Sequence, residues 1–198
     1  MFLLVLALAS KGEGPRKRRL WTTSPRGVVE VDGRAPMLEP REQAQFEATV
    51  RQWETTAANA IAELTQPARV TVPNVLGFIW AESRGNPRAR SPKGALGLMQ
   101  VLSSDARAGH TDAELVQPDV NVAAGVRYLN RIARAFDQLP ELASKYNAGQ
   151  LATLAPHPSS TSPWGMREAP GYIDQVVAAS NYAAALATIP DQIRRHDQ

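Results

Sequence analysis

The sequence predicts a mostly α domain over residues 38–189, preceded by an irregular N-terminal arm and followed by a short tail at 190–198. Two observations carry this. Apolar residues recur at three- and four-residue steps through long stretches that lack Gly and Pro, which is the signature of one-sided helices. The only β-like patch is Val28–Val29–Glu30–Val31, too little for a sheet-based core.

The elements follow in order. Residues 1–37 open with nine apolar residues, Met1 to Ala9, too few for a bilayer-spanning helix, which needs about 20. Three readings stay open for them: an apolar plug buried against a partner protein, an atypical signal peptide, or a disordered end. Against the signal, the basic run Arg16–Lys17–Arg18–Arg19 follows the apolar stretch where an n-region would precede it. Residues 10–39 read as a linker, with weak hairpin potential at Asp32–Gly33. Order is expected to begin near Pro40. Phe46, Val50, Trp53, Ala57, Ile61 and Leu64 then mark a helix from Arg41 to Thr65. A second helix runs from Val72 to Ser83, with Pro73 suited to its first turn and Gly85 able to end it. Gly85 to Leu96 is a loop, and a short helix is expected over Leu98–Ala108. Asp119 is the expected N-cap of a helix from Val120 to Phe136, striped by Val122, Val126, Leu129 and Ile132. Pro140 opens a short helix ending at Gly149. Leu151 to Arg167 reads as a surface loop, and a last helix spans Tyr172–Ala187 before Pro190 stops it.

Composition narrows the function classes. The chain has 198 residues, 43% hydrophobic and 21% charged, and no cysteine, so disulfides, thiol nucleophiles and thiolate metal sites are excluded. Its 22 basic and 19 acidic residues leave +3, and residues 1–37 alone carry +4, so the excess belongs to the arm. A solvated linker accounts for the Arg16–Arg19 run; contact with nucleic acid or acidic lipid is the alternative. His110, His157 and His196 show no paired ligand spacing, and no Gly-rich phosphate loop follows a strand. Neither a metal nor a cofactor is expected.

Glu82 is the residue with chemical promise. It shares a face with Val75 and Ile79 and sits beside Trp80 and Ala81. A carboxylate among apolar neighbours holds its proton longer, because desolvation disfavours the anion. A carboxylic acid that is still protonated near neutrality can protonate a departing sugar oxygen. The bland alternative is a helix-end glutamate, frayed or paired with Arg84.

The string that follows carries more. Glu82–Ser83–x–Gly85–Asn86–Pro87–x–Ala89–x–Ser91–Pro92–x–Gly94–Ala95–x–Gly97–Leu98–Met99–Gln100 resembles the first motif block of the soluble-type (SLT) lytic transglycosylases. Pro118–Asp119–Val120–Asn121, with Gly125, Tyr128 and Leu129, is similar to the second block. Tyr146–Asn147–Ala148–Gly149 is similar to the third. Glu168, Tyr172 and Ile173 fall where the family has Glu-Thr-x-x-Tyr-Val. The ordered set covers about residues 72–185 and leaves 1–37 outside. Departures are Ala169 and Pro170 in the last block and Lys145 before Tyr146, which would add a positive charge near the groove.

The resemblance implies a lysozyme-like (goose-type/SLT) fold and cleavage of the bond between N-acetylmuramic acid and N-acetylglucosamine in peptidoglycan, with Glu82 catalytic. It further implies that Ser91 and Gln100 hydrogen-bond the muramyl N-acetyl group or Glu82, and that Met99 lines the sugar groove. Tyr146 and Asn147 would lie across from the acid, Tyr172 would have a similar standing, and Glu168 would be structural. Ordinary glycosidases need two carboxylates, yet none follows Glu82 until Asp105. Asp105, Asp112, Glu114 and Asp119 are better explained as caps. One acid suffices if the substrate's N-acetyl group assists, and the resemblance implies this route, with the muramyl 6-hydroxyl closing a 1,6-anhydro end. Other readings are a hydrolytic muramidase and a virion structural or wall-binding protein that keeps the fold. The expected setting is the cell envelope or periplasm. Carriage in a phage virion for genome entry is favoured over a secretion machine or plain export, with residues 1–37 contacting other proteins of the apparatus.

Overall fold

The computed structural model describes residues 21–24, 28–31, 33–102, 104–133, 138–148 and 170–188. Two short strands, β1 (Trp21–Thr23) and β2 (Val29–Val31), precede the helices α1 (Pro40–Ala62), α2 (Val72–Ser83), α3 (Ser104–Arg107), α4 (Asp112–Leu115), α5 (Pro118–Ile132), α6 (Leu139–Ala148) and α7 (Pro170–Ala187). The expectations that fall on residues 1–20, on Gly149 and on Leu151–Arg167 lie outside the described residues.

The centre is α2. Thr71 caps it through a reciprocal pair: its hydroxyl accepts from the Asn74 amide, and the Asn74 side chain accepts from the Thr71 amide. Pro73 occupies the first turn, where a missing N–H costs nothing. Val75, Leu76, Phe78, Ile79 and Trp80 are all buried, so this helix is apolar on every side and other helices surround it. On one flank α1 inserts Phe46, whose ring meets Trp80 edge-to-face at 5.4 Å. On another, α7 comes so close that a Cβ on Gly77 would stand 2.1 Å from Ser180 Oγ and 2.7 Å from the Val176 carbonyl. Only a glycine permits that approach. Helix α5 packs on α1, and α6 packs between α5 and α7.

Three local expectations are corrected. No helix spans Leu98–Ala108. A tight turn occupies 97–100 instead, closed by a bridge from Leu96 to Val101, and only the four-residue α3 follows. Gly97 at φ 75° and Gln100 at φ 45° are incompatible with a right-handed helix, and the Asn121 side chain takes up the Met99 N–H and the Leu96 carbonyl. Asp119 is not an N-cap. Gln117 holds that position, Pro118 begins the helix, and Asp119 accepts from Thr56 Oγ1 at 3.1 Å. The hairpin potential read around Asp32–Gly33 is matched by an antiparallel bridge between Val31 and Arg34, which exchange backbone bonds of 2.8 and 3.0 Å, and a further reversal joins β1 to β2, where the Ser24 N–H reaches the Val28 carbonyl at 2.8 Å. Finally, the packed body starts before Pro40. Val29 is fully buried in the core, and its N–H and carbonyl are both bound by the Asn181 side chain of α7 at 2.9 Å. A β-branched side chain with a partnered backbone fits a core position, whatever the composition of the residues around it.

Candidate active site

Glu82 lies in the last turn of α2, and its position is set by how that helix stops. Arg84 adopts the left-handed conformation at φ 54° and Gly85 follows at φ 78°. Gly85 is held against α1: its carbonyl accepts from Trp53 Nε1 at 3.0 Å, and a Cβ there would sit 2.7 Å from Thr49 Oγ1. The Arg84 guanidinium stacks over Trp80 at 4.5 Å and pairs with Glu42 at 3.2 Å. It is therefore turned toward α1, and the expected alternative pairing with Glu82 is not the one formed.

The Glu82 carboxyl is raised from 4.5 to about 7, chiefly because burial penalises its anion; the Tyr172 hydrogen bond pulls the other way. That bond is short, with the Tyr172 hydroxyl donating to Oε1 at 2.6 Å from the first turn of α7. Among the described residues, Tyr172 is the one side chain that acts on the Glu82 proton alongside burial.

A second tyrosine comes from α6. Tyr146 donates its hydroxyl proton to the Met99 carbonyl at 2.7 Å, and its ring lies between Phe78 at 5.1 Å and Tyr128 at 5.6 Å. Both phenols are pushed well above 10, first by burial and next by the charge on Glu82. Their proximity to the acid is thus felt electrostatically from two helices, while their protons stay in place as donors.

Ser91 Oγ accepts from the Ala95 amide at 3.0 Å and closes the loop on itself. Gln100 spends both amide protons on the carbonyls of Ala89 and Gly97, at 3.1 and 3.0 Å. Met99 is fully buried, with its sulfur where a Cβ on Gly125 would stand 2.5 Å away, and its carbonyl is the atom that meets Tyr146. Asn147 is exposed beside Tyr146. Lys145 is buried, away from the surface position expected of a groove charge. Glu168 lies outside the described residues. Sequence reasoning missed the importance of Asn121, which is 1% exposed and makes bonds of 2.8 Å to the Met99 amide and to the carbonyls of Leu96 and Leu115. Its signal was a short amide side chain standing next to the apolar stripe of α5.

Among the described residues no cluster of three or more His, Asp or Glu could hold a metal, and no helix is long and apolar enough to cross a membrane.

A helical fold in which one buried acid ends the central helix, facing two tyrosines, is of the lysozyme-like class. Within it, the chain belongs to the Transglycosylase SLT domain family, whose model matches residues 59–160. Solved structures agree on the fold. An inactive mutant of the lytic transglycosylase Slt from Pseudomonas aeruginosa aligns with a TM-score of 0.52 and 20% identity over 67% of this chain and 24% of that one. The 70 kDa soluble lytic transglycosylase from Escherichia coli gives 0.54 and 19% over 75% and 29%. A complex of the 70-kDa soluble lytic transglycosylase with bulgecin A gives 0.53 and 18% over the same shares, 75% and 29%. The chain thus matches less than a third of the length of each. No curated protein matches the sequence.

Proposed function

We propose that this chain is a peptidoglycan lytic transglycosylase that cleaves the β-1,4 bond between N-acetylmuramic acid and N-acetylglucosamine and leaves 1,6-anhydromuramyl ends. The observation that carries the reading is the buried Glu82 carboxyl, raised to about 7 and bonded to Tyr172 at 2.6 Å. An acid with that affinity is partly protonated at neutral pH, which suits a group that first gives and then takes a proton.

Tyr172 occupies Oε1, which leaves Oε2 to carry the proton. Glu82 transfers it to the glycosidic oxygen as the bond from the muramyl anomeric carbon breaks, with the N-acetyl oxygen assisting the oxocarbenium-like state. The Glu82 carboxylate, now steadied by the Tyr172 hydroxyl, takes the proton of the muramyl 6-hydroxyl. That oxygen bonds to the anomeric carbon and closes the anhydro ring, and the acid is restored without water. Tyr146, Asn147, Ser91 and Gln100 shape the cleft wall around the sugar, and Met99 contributes through its carbonyl.

The test is Glu82→Gln with purified sacculi. We expect the fold to persist, by circular dichroism, and the release of anhydromuropeptides to vanish; full retained activity would overturn the assignment. Mass spectrometry separates this from a hydrolytic muramidase, whose product is heavier by one water at the muramyl end. Wall binding without any clearing in a zymogram would indicate a virion structural or wall-binding module. For setting, we favour action in the cell envelope after carriage in a phage particle, with a secretion machine or export to the periplasm as alternatives. Neighbouring genes for tails and capsids, or for secretion, distinguish these.

A further inference from the structure

The hairpin β1–β2 touches both helices that bring tyrosines to Glu82. At one end Thr23 Oγ1 donates to Gln138 Oε1, at the residue that precedes α6. Gln138 also opens that helix: its carbonyl accepts from Leu142 at 3.0 Å, and its amide donates to Glu141 at 3.1 Å. At the other end, Val29 turns its N–H and carbonyl away from β1. Asn181 of α7 satisfies both at 2.9 Å, as a neighbouring strand would, and donates to the Pro36 carbonyl at 2.9 Å as well. The side chain of Val29 is meanwhile fully buried.

We infer that this hairpin is a strap that fixes α6 and α7 around the acid, with Asn181 a positioning residue that acts on Glu82 through the placement of Tyr172. The inference rests on the proposed function only for its catalytic meaning. Helix α7 is 18 residues long and behaves as one rod, so loss of an anchor at Asn181 is felt at Tyr172 in its first turn. A hydrogen bond of 2.6 Å between two partly buried groups tolerates little displacement.

Among the described residues, the groups facing Glu82 are few. Tyr172 comes from α7 and Tyr146 from α6, with Tyr128 of α5 behind the latter; on the α1 side Arg84 is paired with Glu42. Of these, Tyr172 is the one that lowers the affinity of Glu82 for its proton. Loosening the strap therefore moves the Glu82 midpoint upward.

The test follows the Glu82 carboxyl by 13C NMR titration of the full-length chain, assigned by comparison with Glu82→Gln and read without substrate, so that it stands whether or not the chain cleaves peptidoglycan. Tyr172→Phe should raise the midpoint by about one unit. Asn181→Ala should raise it by about half as much, and the double variant should go no higher than Tyr172→Phe alone. Val29→Ala, a milder loosening, should shift it in the same direction and serves if Asn181→Ala does not fold. Val50→Ala in α1 should lower the melting temperature without moving the midpoint. The inference is overturned if Asn181→Ala and Val29→Ala behave like Val50→Ala, or if the shifts of Asn181→Ala and Tyr172→Phe simply add.

Discussion

The desolvation of Glu82 and the hydrogen bond from its donor Tyr172 pull the acid's proton affinity in opposite directions. Burial favours the neutral acid, while the tyrosine favours the anion. On the proposed reading, activity falls as pH rises through about 7, because the free enzyme then loses the proton it must give. Tyr172→Phe should move that alkaline limb of kcat/KM upward while lowering kcat, since the anion of the second half-reaction loses its donor. A pH–rate series on sacculi checks both. Asn121 predicts a stability effect of a different kind. Asn121→Ala strands the Met99 amide and the Leu96 and Leu115 carbonyls in the interior, and should cost about 3 kcal/mol in urea unfolding. Glu82 drew notice as an acid in an apolar helix, but spacing alone equally suited a helix-end glutamate, and the motif string that follows it decided the choice. Its partner Tyr172 stood out only through the family motif, because spacing within one helix cannot report a contact with a residue 90 positions away.

The pairing of α2 with α7 is the interface that brings those two residues together. Gly77→Ala would place a methyl 2.1 Å from Ser180 Oγ and 2.7 Å from a backbone carbonyl that cannot swing aside. It should destabilise the fold by about 1–3 kcal/mol, and the companion change Ser180→Gly should recover only part of that, since the Val176 carbonyl remains. Melting curves of the single and double variants provide the comparison. Helix α2 itself was readable to the residue, because Pro73 and Gly85 punctuate it by local chemistry; the Thr71 cap emerged only from the structure. The 96–101 segment was not. Its apolar Leu96, Leu98, Met99 and Val101 mimic helical spacing, but two left-handed residues and a side chain from α5 decide its shape. The hairpin was missed for the same reason: Val29 looks like an isolated β-former until Asn181 supplies its missing edge partner.

For the molecule as a whole, the raised acid links stability to pH. The folded Glu82 carboxyl at about 7 binds its proton more tightly than the ordinary 4.5 of an unfolded chain. Its contribution is therefore fully present below about 4.5 and is lost as pH climbs through about 7. The wild-type fold should lose on the order of 2–3 kcal/mol from this group between those limits. Glu82→Gln should remove that dependence, so that the variant melts above the wild type at pH 8. Differential scanning calorimetry across pH 5–8 would show the two curves cross or fail to. The strap adds a temporal dimension. Val29 finds its partner 152 residues later, and the acid finds its tyrosine 90 residues later. Loops of that size close late, so a nascent chain still threaded through the ribosome holds neither clamp. Synthesis must reach α7 before the acid meets its donor, and a messenger cut short of that helix encodes a carboxyl that never acquires the Tyr172 hydroxyl.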